Sequence, residues 1–145
     1  MSKINTKVTD SVDFFKGNKP SDLTAKFGSP LYVYSEEILR QRCRDVKNLV
    51  KYPKFSVNYS AKANSNLAFL EIVHEEGLNV DAMSPGEIFV ELKAGFKPEQ
   101  IFYISNNVTA EEMKFAIDHD VLISVDSVSQ LETYGKLNPG GKIAA

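Results

Sequence analysis

From residue 55 onward, short apolar stretches alternate with amphipathic stretches along the chain. Phe55, Val57 and Tyr59 alternate with polar residues, and this period of two predicts a β-strand. Each predicted strand is followed by small or polar residues and then by a segment whose apolar residues have helical spacing. The five predicted strands start at Phe55, Leu78, Ile101, Val121 and Lys142. The pattern therefore predicts consecutive βα units.

The predicted helices between these strands begin with capping residues. Ser84 is followed by Pro85 and then by Glu87, and Thr109 with Glu112 forms a capping box. Alternating strands and helices predict an α/β fold with a parallel sheet and right-handed crossovers. A closed eight-stranded barrel needs about 250 residues. The sequence therefore predicts an incomplete (β/α)8 TIM-type barrel of about four βα units.

The N-terminal part of the chain has a different pattern. We expect residues 1–29 to form a loosely specified lead-in segment. A short strand is expected at Pro30–Tyr34, and Ser35 indicates the start of a helix that runs to about Tyr52. We therefore expect two parts, the lead-in and, at 30–145, a truncated N-terminal portion of the barrel that ends inside its fifth strand.

Composition and charge argue against several classes of function. The sequence is 43% hydrophobic and 25% charged, which is typical of a globular protein, and its net charge of -2 gives no electrostatic reason to expect nucleic acid or an anionic membrane as a partner. The polar start and the lack of a long apolar stretch indicate neither secretion nor membrane insertion. Cys43 is the single cysteine, and His74 and His119 have no partners at metal-ligand spacing. We expect a cytoplasmic protein without a bound metal.

Residues at the predicted strand ends carry the candidate chemistry. In parallel α/β folds, functional side chains gather where the strands end. The polar residues there are Lys62, Asn64, Asp81, Ser84, Ser105, Asn106, Asn107, Asp126 and Ser127. Ser84 and Ser127 are explained as helix caps, and Asn106 and Asn107 as loop formers.

Lys62 is the most informative of these residues. Most lysines are solvated, and Lys62 read by itself fits that description. A lysine amine can also act as a nucleophile that forms a Schiff base. Asp81 is expected at the end of the adjacent strand, where its carboxylate could pair with the Lys62 ammonium or hold the amine in position. It could equally be an ordinary acid at a strand end.

The flanking residues of Lys62 resemble a known family. Tyr59-Ser-Ala-Lys62-Ala-Asn-Ser-Asn-Leu67 resembles the lysine motif of the fold-type III pyridoxal-phosphate decarboxylases, and most closely that of the diaminopimelate decarboxylases. The resemblance continues through Val80-Asp-Ala-Met-Ser84-Pro-Gly-Glu-Ile88 and Val125-Asp-Ser-Val-Ser-Gln-Leu131, and it covers about residues 25–145.

The resemblance implies specific roles. Lys62 would be the catalytic residue and would bind pyridoxal 5'-phosphate as a Schiff base. Asp81 and Ser84 would be further cofactor-binding residues, with Glu87 as a supporting group. The implied reaction is decarboxylation of meso-diaminopimelate to L-lysine and carbon dioxide in lysine biosynthesis, catalysed by a homodimer.

Several alternatives stay open at this point. An ornithine- or arginine-type decarboxylase is one alternative, because the residues that select the substrate lie mostly outside this segment. The family's cofactor-stacking histidine, phosphate-binding loop and C-terminal β domain are missing here, so we expect an incomplete and inactive fragment that associates with other chains. A non-enzymatic truncated homologue and a small flavodoxin-like binding domain are the remaining alternatives.

Overall fold

The computed structural model describes residues 14–144. They fall into two compact units, one that ends at Leu39 and one that starts at Arg40. The part of the predicted lead-in at residues 1–13 lies outside the described residues, as does Ala145. Among the residues that are described, no helix is long and apolar enough to cross a membrane.

The first unit contains a helix that the sequence analysis did not predict. Helix α1 (Pro20–Phe27) has proline in its first turn, Asp22 near its start and Lys26 near its end, and it ends at Gly28, whose φ is +86°. Proline fits the first helical turn, and the two charges interact favourably with the helix dipole. These local signals were present in the lead-in segment.

The predicted strand at Pro30–Tyr34 was wrong. This segment has no strand partner among the described residues, and Tyr32 is 83% exposed. A run of apolar and aromatic residues favours an extended chain, but a strand also needs a neighbour for its backbone hydrogen bonds. The segment is therefore irregular in this structure.

Helix α2 (Glu36–Lys47) crosses from the first unit into the second. Its N-terminal cap is confirmed, because the Ile38 amide donates to the Ser35 hydroxyl oxygen at 3.4 Å. The helix ends earlier than the predicted Tyr52. The Asn48 side-chain amide donates to the Arg44 carbonyl at 2.8 Å, and such a side-chain contact competes with continuation of the helix.

The second unit is built around a parallel sheet. Its five strands lie in sequence order, β1 (Asn58–Ser60), β2 (Asn79–Ala82), β3 (Ile101–Ile104), β4 (Leu122–Ser124) and β5 (Ile143–Ala144). The connecting helices are α3 (Leu67–Glu75), α4 (Pro85–Lys93), α5 (Ala110–Asp118) and α6 (Val128–Leu137). The α/β prediction is confirmed. The sheet is open, with β1 and β5 at its edges, which agrees with an incomplete barrel.

The predicted helix starts are found where the capping residues indicated. Ser84 Oγ accepts from the Glu87 amide, and Thr109 and Glu112 form a reciprocal capping box. Such caps satisfy amide groups that have no partner inside the helix. They also fix where each helix begins relative to the preceding strand, and so they fix the strand ends that carry the candidate site.

The two faces of the sheet differ in burial. The covered face packs against the helices and consists of fully buried side chains, Val80, Ala82, Ile101, Tyr103 and Ile123. The uncovered face carries register partners from the first four strands, Ser60, Asp81, Phe102 and Leu122 in one row. Alternation of side chains across a strand produces this division. In a closed barrel the uncovered face would be the interior.

Ion pairs join α2 to the end of α3. Arg44 Nε lies 2.7 Å from Glu76 Oε2, and Arg40 Nη1 lies 3.1 Å from Glu76 Oε1. Hydrogen bonds from Arg44, and then from Arg40, lower the pKa of Glu76 to about 2. Cys43 is buried beside these residues, and burial raises the pKa of its thiol. These charges hold the two helices together at the end of α3.

Candidate active site

Lys62 lies directly beyond the end of β1. The strand ends at Ser60, and Ala61–Ala63 form one turn of 3₁₀-helix before α3. Ala61 is fully buried and anchors this turn, whereas Lys62 is exposed. Within residues 14–144, Lys62 has no hydrogen bond or ion pair. The turn therefore presents an uncommitted primary amine at the carboxyl end of the first strand.

Hydrogen bonds fix the segment that follows Lys62. The Asn66 amide donates to Asn64 Oδ1 at 3.0 Å, and Asn66 Oδ1 accepts from the Ala68 amide at 3.1 Å, which caps α3. Asn side chains commonly stabilise turns and helix starts in this way. The amine at Lys62 is consequently carried by a short, well-defined connection between strand and helix.

Asp81 lies on the neighbouring strand, as predicted from the strand order. It pairs in register with Ser60, and the Ser60 hydroxyl donates to Asp81 Oδ1 at 2.8 Å. The described hydrogen-bond partner of Asp81 is thus Ser60 and not Lys62. Ser60 was not among the site residues predicted from the sequence. Only the register between β1 and β2 could have identified it.

Ser84 follows β2 and begins α4. Its Oγ accepts from the Glu87 amide at 3.2 Å, and Glu87 Oε2 accepts from the Met83 amide at 2.6 Å. The structural role as a helix cap is therefore confirmed. The hydroxyl hydrogen of Ser84 is not used by this cap, so it is available as a donor. We call Lys62, Asp81 and Ser84 the β1–β2 rim.

Three hydrogen bonds join buried and backbone polar groups at the ends of β3 and β4. The Ser105 hydroxyl donates to the Ser124 carbonyl, the Gln130 side chain donates to the Ser105 carbonyl at 2.5 Å, and the Asp126 amide donates to Gln130 Oε1 at 3.0 Å. We call Ser105, Ser124, Asp126 and Gln130 the β3–β4 rim. Its side-chain contacts tie the start of α6 to the two strands.

A buried acid lies in the helix that starts at the β1–β2 rim. Glu91 of α4 is fully buried, and neither carboxylate oxygen has a described hydrogen-bond partner. Burial first, and then the charges of Glu87 and Asp81, raise the pKa of Glu91 to about 8. The sequence analysis missed this residue, although it lies between Ile88 and Ala94 on the buried stripe of α4.

Histidines and acids do not form a metal site in the described part of the chain. None of its clusters of histidine, cysteine and acidic residues could hold a metal ion. His74 packs edge-on against Phe96, and His119 stacks on Phe115. Both histidines therefore have packing roles.

The fold and the β1–β2 rim define a domain of the parallel α/β barrel class that presents a lysine amine at the end of its first strand. The family model described as the pyridoxal binding domain of pyridoxal-dependent decarboxylases matches residues 36–144. The chain therefore belongs to the pyridoxal-dependent decarboxylase family. The family predicted from the segments around Lys62 and Ser84 is confirmed.

Individual relatives agree with this assignment. The diaminopimelate decarboxylase of Methanothermobacter thermautotrophicus is 44% identical over 122 residues, which cover 83% of this chain and 28% of that enzyme. The diaminopimelate decarboxylase of Bacillus subtilis is 36% identical over 112 residues, covering 75% of this chain and 26% of that enzyme. This chain thus spans little more than a quarter of the length of these relatives.

A solved structure has the same arrangement of strands and helices. The Helicobacter pylori diaminopimelate decarboxylase complexed with L-lysine matches with a TM-score of 0.77 and 29% identity, over 82% of this chain and 30% of that chain. The Vibrio vulnificus lysine/ornithine decarboxylase complexed with putrescine matches with a TM-score of 0.73. It is 20% identical over 80% of this chain and 32% of that chain, so its likeness concerns the fold alone.

Proposed function

We propose that this chain is the lysine-bearing, N-terminal portion of an amino-acid decarboxylase that converts meso-diaminopimelate to L-lysine and carbon dioxide. The observation that carries the proposal is the exposed, unpaired amine of Lys62 directly beyond the end of β1. Membership of the pyridoxal-dependent decarboxylase family supports it, and so does the 44% identity to a diaminopimelate decarboxylase.

Lys62 fits the role of the residue that binds the cofactor covalently. Bound pyridoxal phosphate supplies an aldehyde carbon and a ring that takes up negative charge. Lys62 would hold the cofactor through its side-chain amine. An amine that is exposed and free of ion pairs is accessible to such a group.

Asp81 and Ser84 fit supporting roles at the same rim. Asp81 lies on β2, next to the strand that leads to Lys62, so its carboxylate and the amine belong to the same end of the sheet. The Ser84 hydroxyl retains a hydrogen that it could donate to a polar group of the cofactor. Neither role requires a change in the hydrogen bonds described above.

We expect no turnover from the 145 residues alone, because they span about a quarter of the length of related enzymes. We propose that residues 30–145 form the start of the barrel, with 1–29 as a lead-in, in a cytoplasmic enzyme. Within residues 14–144 no strand lies beyond β1 or β5, and the Leu122 side chain on the uncovered face is exposed. Both features favour association with further barrel strands or other chains.

A chimeric enzyme tests the proposed function. This chain would replace the matching segment of the Methanothermobacter thermautotrophicus enzyme, and carbon dioxide release would be measured with meso-diaminopimelate, L-ornithine and L-arginine. We expect release from meso-diaminopimelate, and none from a chimera that carries Lys62→Ala. A folded chimera that prefers ornithine or arginine would contradict the substrate assignment. A folded chimera that retains full activity with Lys62→Ala would contradict the role of Lys62.

A further inference from the structure

The side chains of Ser60 and Asp81 form a hydrogen bond between β1 and β2. The Ser60 hydroxyl donates to Asp81 Oδ1 at 2.8 Å, and both residues are half-buried. They are register partners on neighbouring strands, so their side chains lie on the same, uncovered face of the sheet. A hydroxyl-to-carboxylate bond is stronger than one between neutral groups.

This contact occupies only one side of the carboxylate. A carboxylate has two oxygens that can accept about four hydrogen bonds. Oδ1 accepts from Ser60, whereas Oδ2 has no hydrogen bond to any residue from 14 to 144. The bond therefore fixes the orientation of the group and leaves one oxygen for a second partner.

The location of Ser60 connects this orientation to Lys62. Ser60 is the last residue of β1, and Lys62 follows two residues later in the 3₁₀ turn. The Ser60 hydroxyl thus links the strand before Lys62 to the Asp81 carboxylate on the neighbouring strand. If the Asp81 side chain changed rotamer, Oδ2 would point in a different direction.

We propose that Ser60 is a positioning residue, which holds Asp81 in one rotamer so that Oδ2 faces the place where the Lys62 amine reacts. The inference rests on the proposed function of Lys62 and adds a residue to it. Without the Ser60 hydroxyl, Asp81 samples several rotamers and spends less time in the productive one. Since a net hydrogen bond is equivalent to about a twofold to tenfold change in population, covalent capture of pyridoxal phosphate should slow by that factor.

The rotamer of Asp81 can be measured without cofactor. Three-bond couplings from the Asp81 Cγ to its backbone nitrogen and carbonyl carbon report the χ1 torsion in the 145-residue chain. We expect couplings of a single rotamer in the wild type and in Ser60→Thr, and averaged couplings in Ser60→Ala. A single unchanged rotamer in Ser60→Ala would overturn the proposal.

The effect on capture is measured with pyridoxal phosphate by stopped-flow absorbance. Ser60→Ala should slow adduct formation about twofold to tenfold, and Ser60→Thr should restore it. Ser65→Ala, at an exposed serine on the other side of Lys62, is the matched control and should react like the wild type. In an Asp81→Ala background, Ser60→Ala should have no further effect, because the hydroxyl acts through Asp81.

The outcomes separate the two proposals. If the wild type forms no adduct, the proposed function fails, and the role of Ser60 fails with it. If the wild type forms the adduct and Ser60→Ala reacts equally fast, the role of Ser60 is overturned and that of Lys62 stands. If Ser60→Ala slowed adduct formation equally in the wild-type and Asp81→Ala backgrounds, the role of Ser60 would also be overturned. Such a result would mean that Ser60 does not act through the Asp81 carboxylate.

Discussion

The β1–β2 rim and the β3–β4 rim lie at the same end of one sheet, yet their polar groups are used differently. At the β3–β4 rim, Gln130 bonds to the Ser105 carbonyl and the Asp126 amide, so both ends of its amide group are satisfied. At the β1–β2 rim, Lys62 has no described partner and Asp81 has one. The first arrangement fastens a helix to its strands, and the second leaves groups available for a ligand.

This difference shows that a polar residue at a strand end is insufficient evidence for a functional site. Ser105 belonged to the same list of candidates as Lys62, because both follow predicted strands. Their hydrogen bonds distinguish them, because Ser105 is buried and bonded to the Ser124 carbonyl, whereas Lys62 is exposed and has no described bond. A group that is already paired would lose that bond to hold a ligand, whereas an unpaired exposed group has no bond to lose.

The largest effect is expected at Lys62. Lys62→Ala should abolish the covalent adduct with pyridoxal phosphate, and Lys62→Arg should abolish it too, because a guanidinium retains the charge without a nucleophilic amine. Absorbance of the adduct is the measurement. Lys51→Ala, at another exposed lysine, serves as the control and should leave adduct formation unchanged. If the adduct persisted in Lys62→Ala, the β1–β2 rim would have no demonstrated binding role that the β3–β4 rim lacks.

The next largest effect concerns the buried acid Glu91. Its carboxylate has no described hydrogen-bond partner, whereas the Gln130 side chain has two. Its pKa of about 8 lies above the usual 4.5, so the folded chain favours the neutral carboxyl. The contribution of the neutral carboxyl to the free energy of unfolding is fully present below about pH 4.5. It is lost as the pH rises through about 8. At 1.36 kcal/mol per pKa unit, the loss amounts to about 5 kcal/mol.

Urea unfolding at several pH values between 5 and 9 measures this loss. Glu91→Gln removes the titration and should flatten the pH dependence over this range. Glu71→Gln, at an exposed position of α3, should retain the wild-type dependence. An equally steep loss of stability in Glu91→Gln would show that other groups cause it.

A smaller effect is expected at Gln130. Gln130→Ala removes two of the three hydrogen bonds described at the β3–β4 rim and leaves the Ser105 carbonyl and the Asp126 amide without those partners. We expect a loss of about 1–3 kcal/mol in the free energy of unfolding. Adduct formation at Lys62 should stay unchanged in conditions where the variant is folded. A selective loss of adduct formation would instead give the β3–β4 rim a functional role.

The smallest effect compares the two serine caps. Ser84→Ala and Ser127→Ala each remove a helix cap and should each lower the free energy of unfolding by about 1 kcal/mol. Only Ser84→Ala should weaken the binding of pyridoxal phosphate, because Ser84 belongs to the β1–β2 rim. Equal binding by the two variants would reduce Ser84 to a structural cap.

The sequence predicted those features that depend on nearby residues. The caps at Ser84 and Thr109 combine residues three positions apart, and the order of strands follows from short βα connections. Lys62 was identified because its neighbours in the sequence carry the family motif. Predictions of this kind need no knowledge of which strands pair or which residues are buried.

Features that depend on pairing could not be predicted in the same way. Ser60 and Asp81 are 21 residues apart and meet only through the register of β1 with β2. The apolar run at Pro30–Tyr34 predicted a strand that has no partner among the described residues. Glu91 could not be predicted as buried, because acids are rarely buried without partners and its burial depends on how α4 packs.

The central claim is that Lys62 is the residue that binds the cofactor covalently. The chain would be incubated with pyridoxal phosphate, reduced with borohydride and digested, and the modified peptides would be identified by mass spectrometry. We predict one dominant pyridoxyl modification, on the peptide that contains Lys62. Modification spread over the exposed lysines, or concentrated on a lysine other than Lys62, would contradict the account.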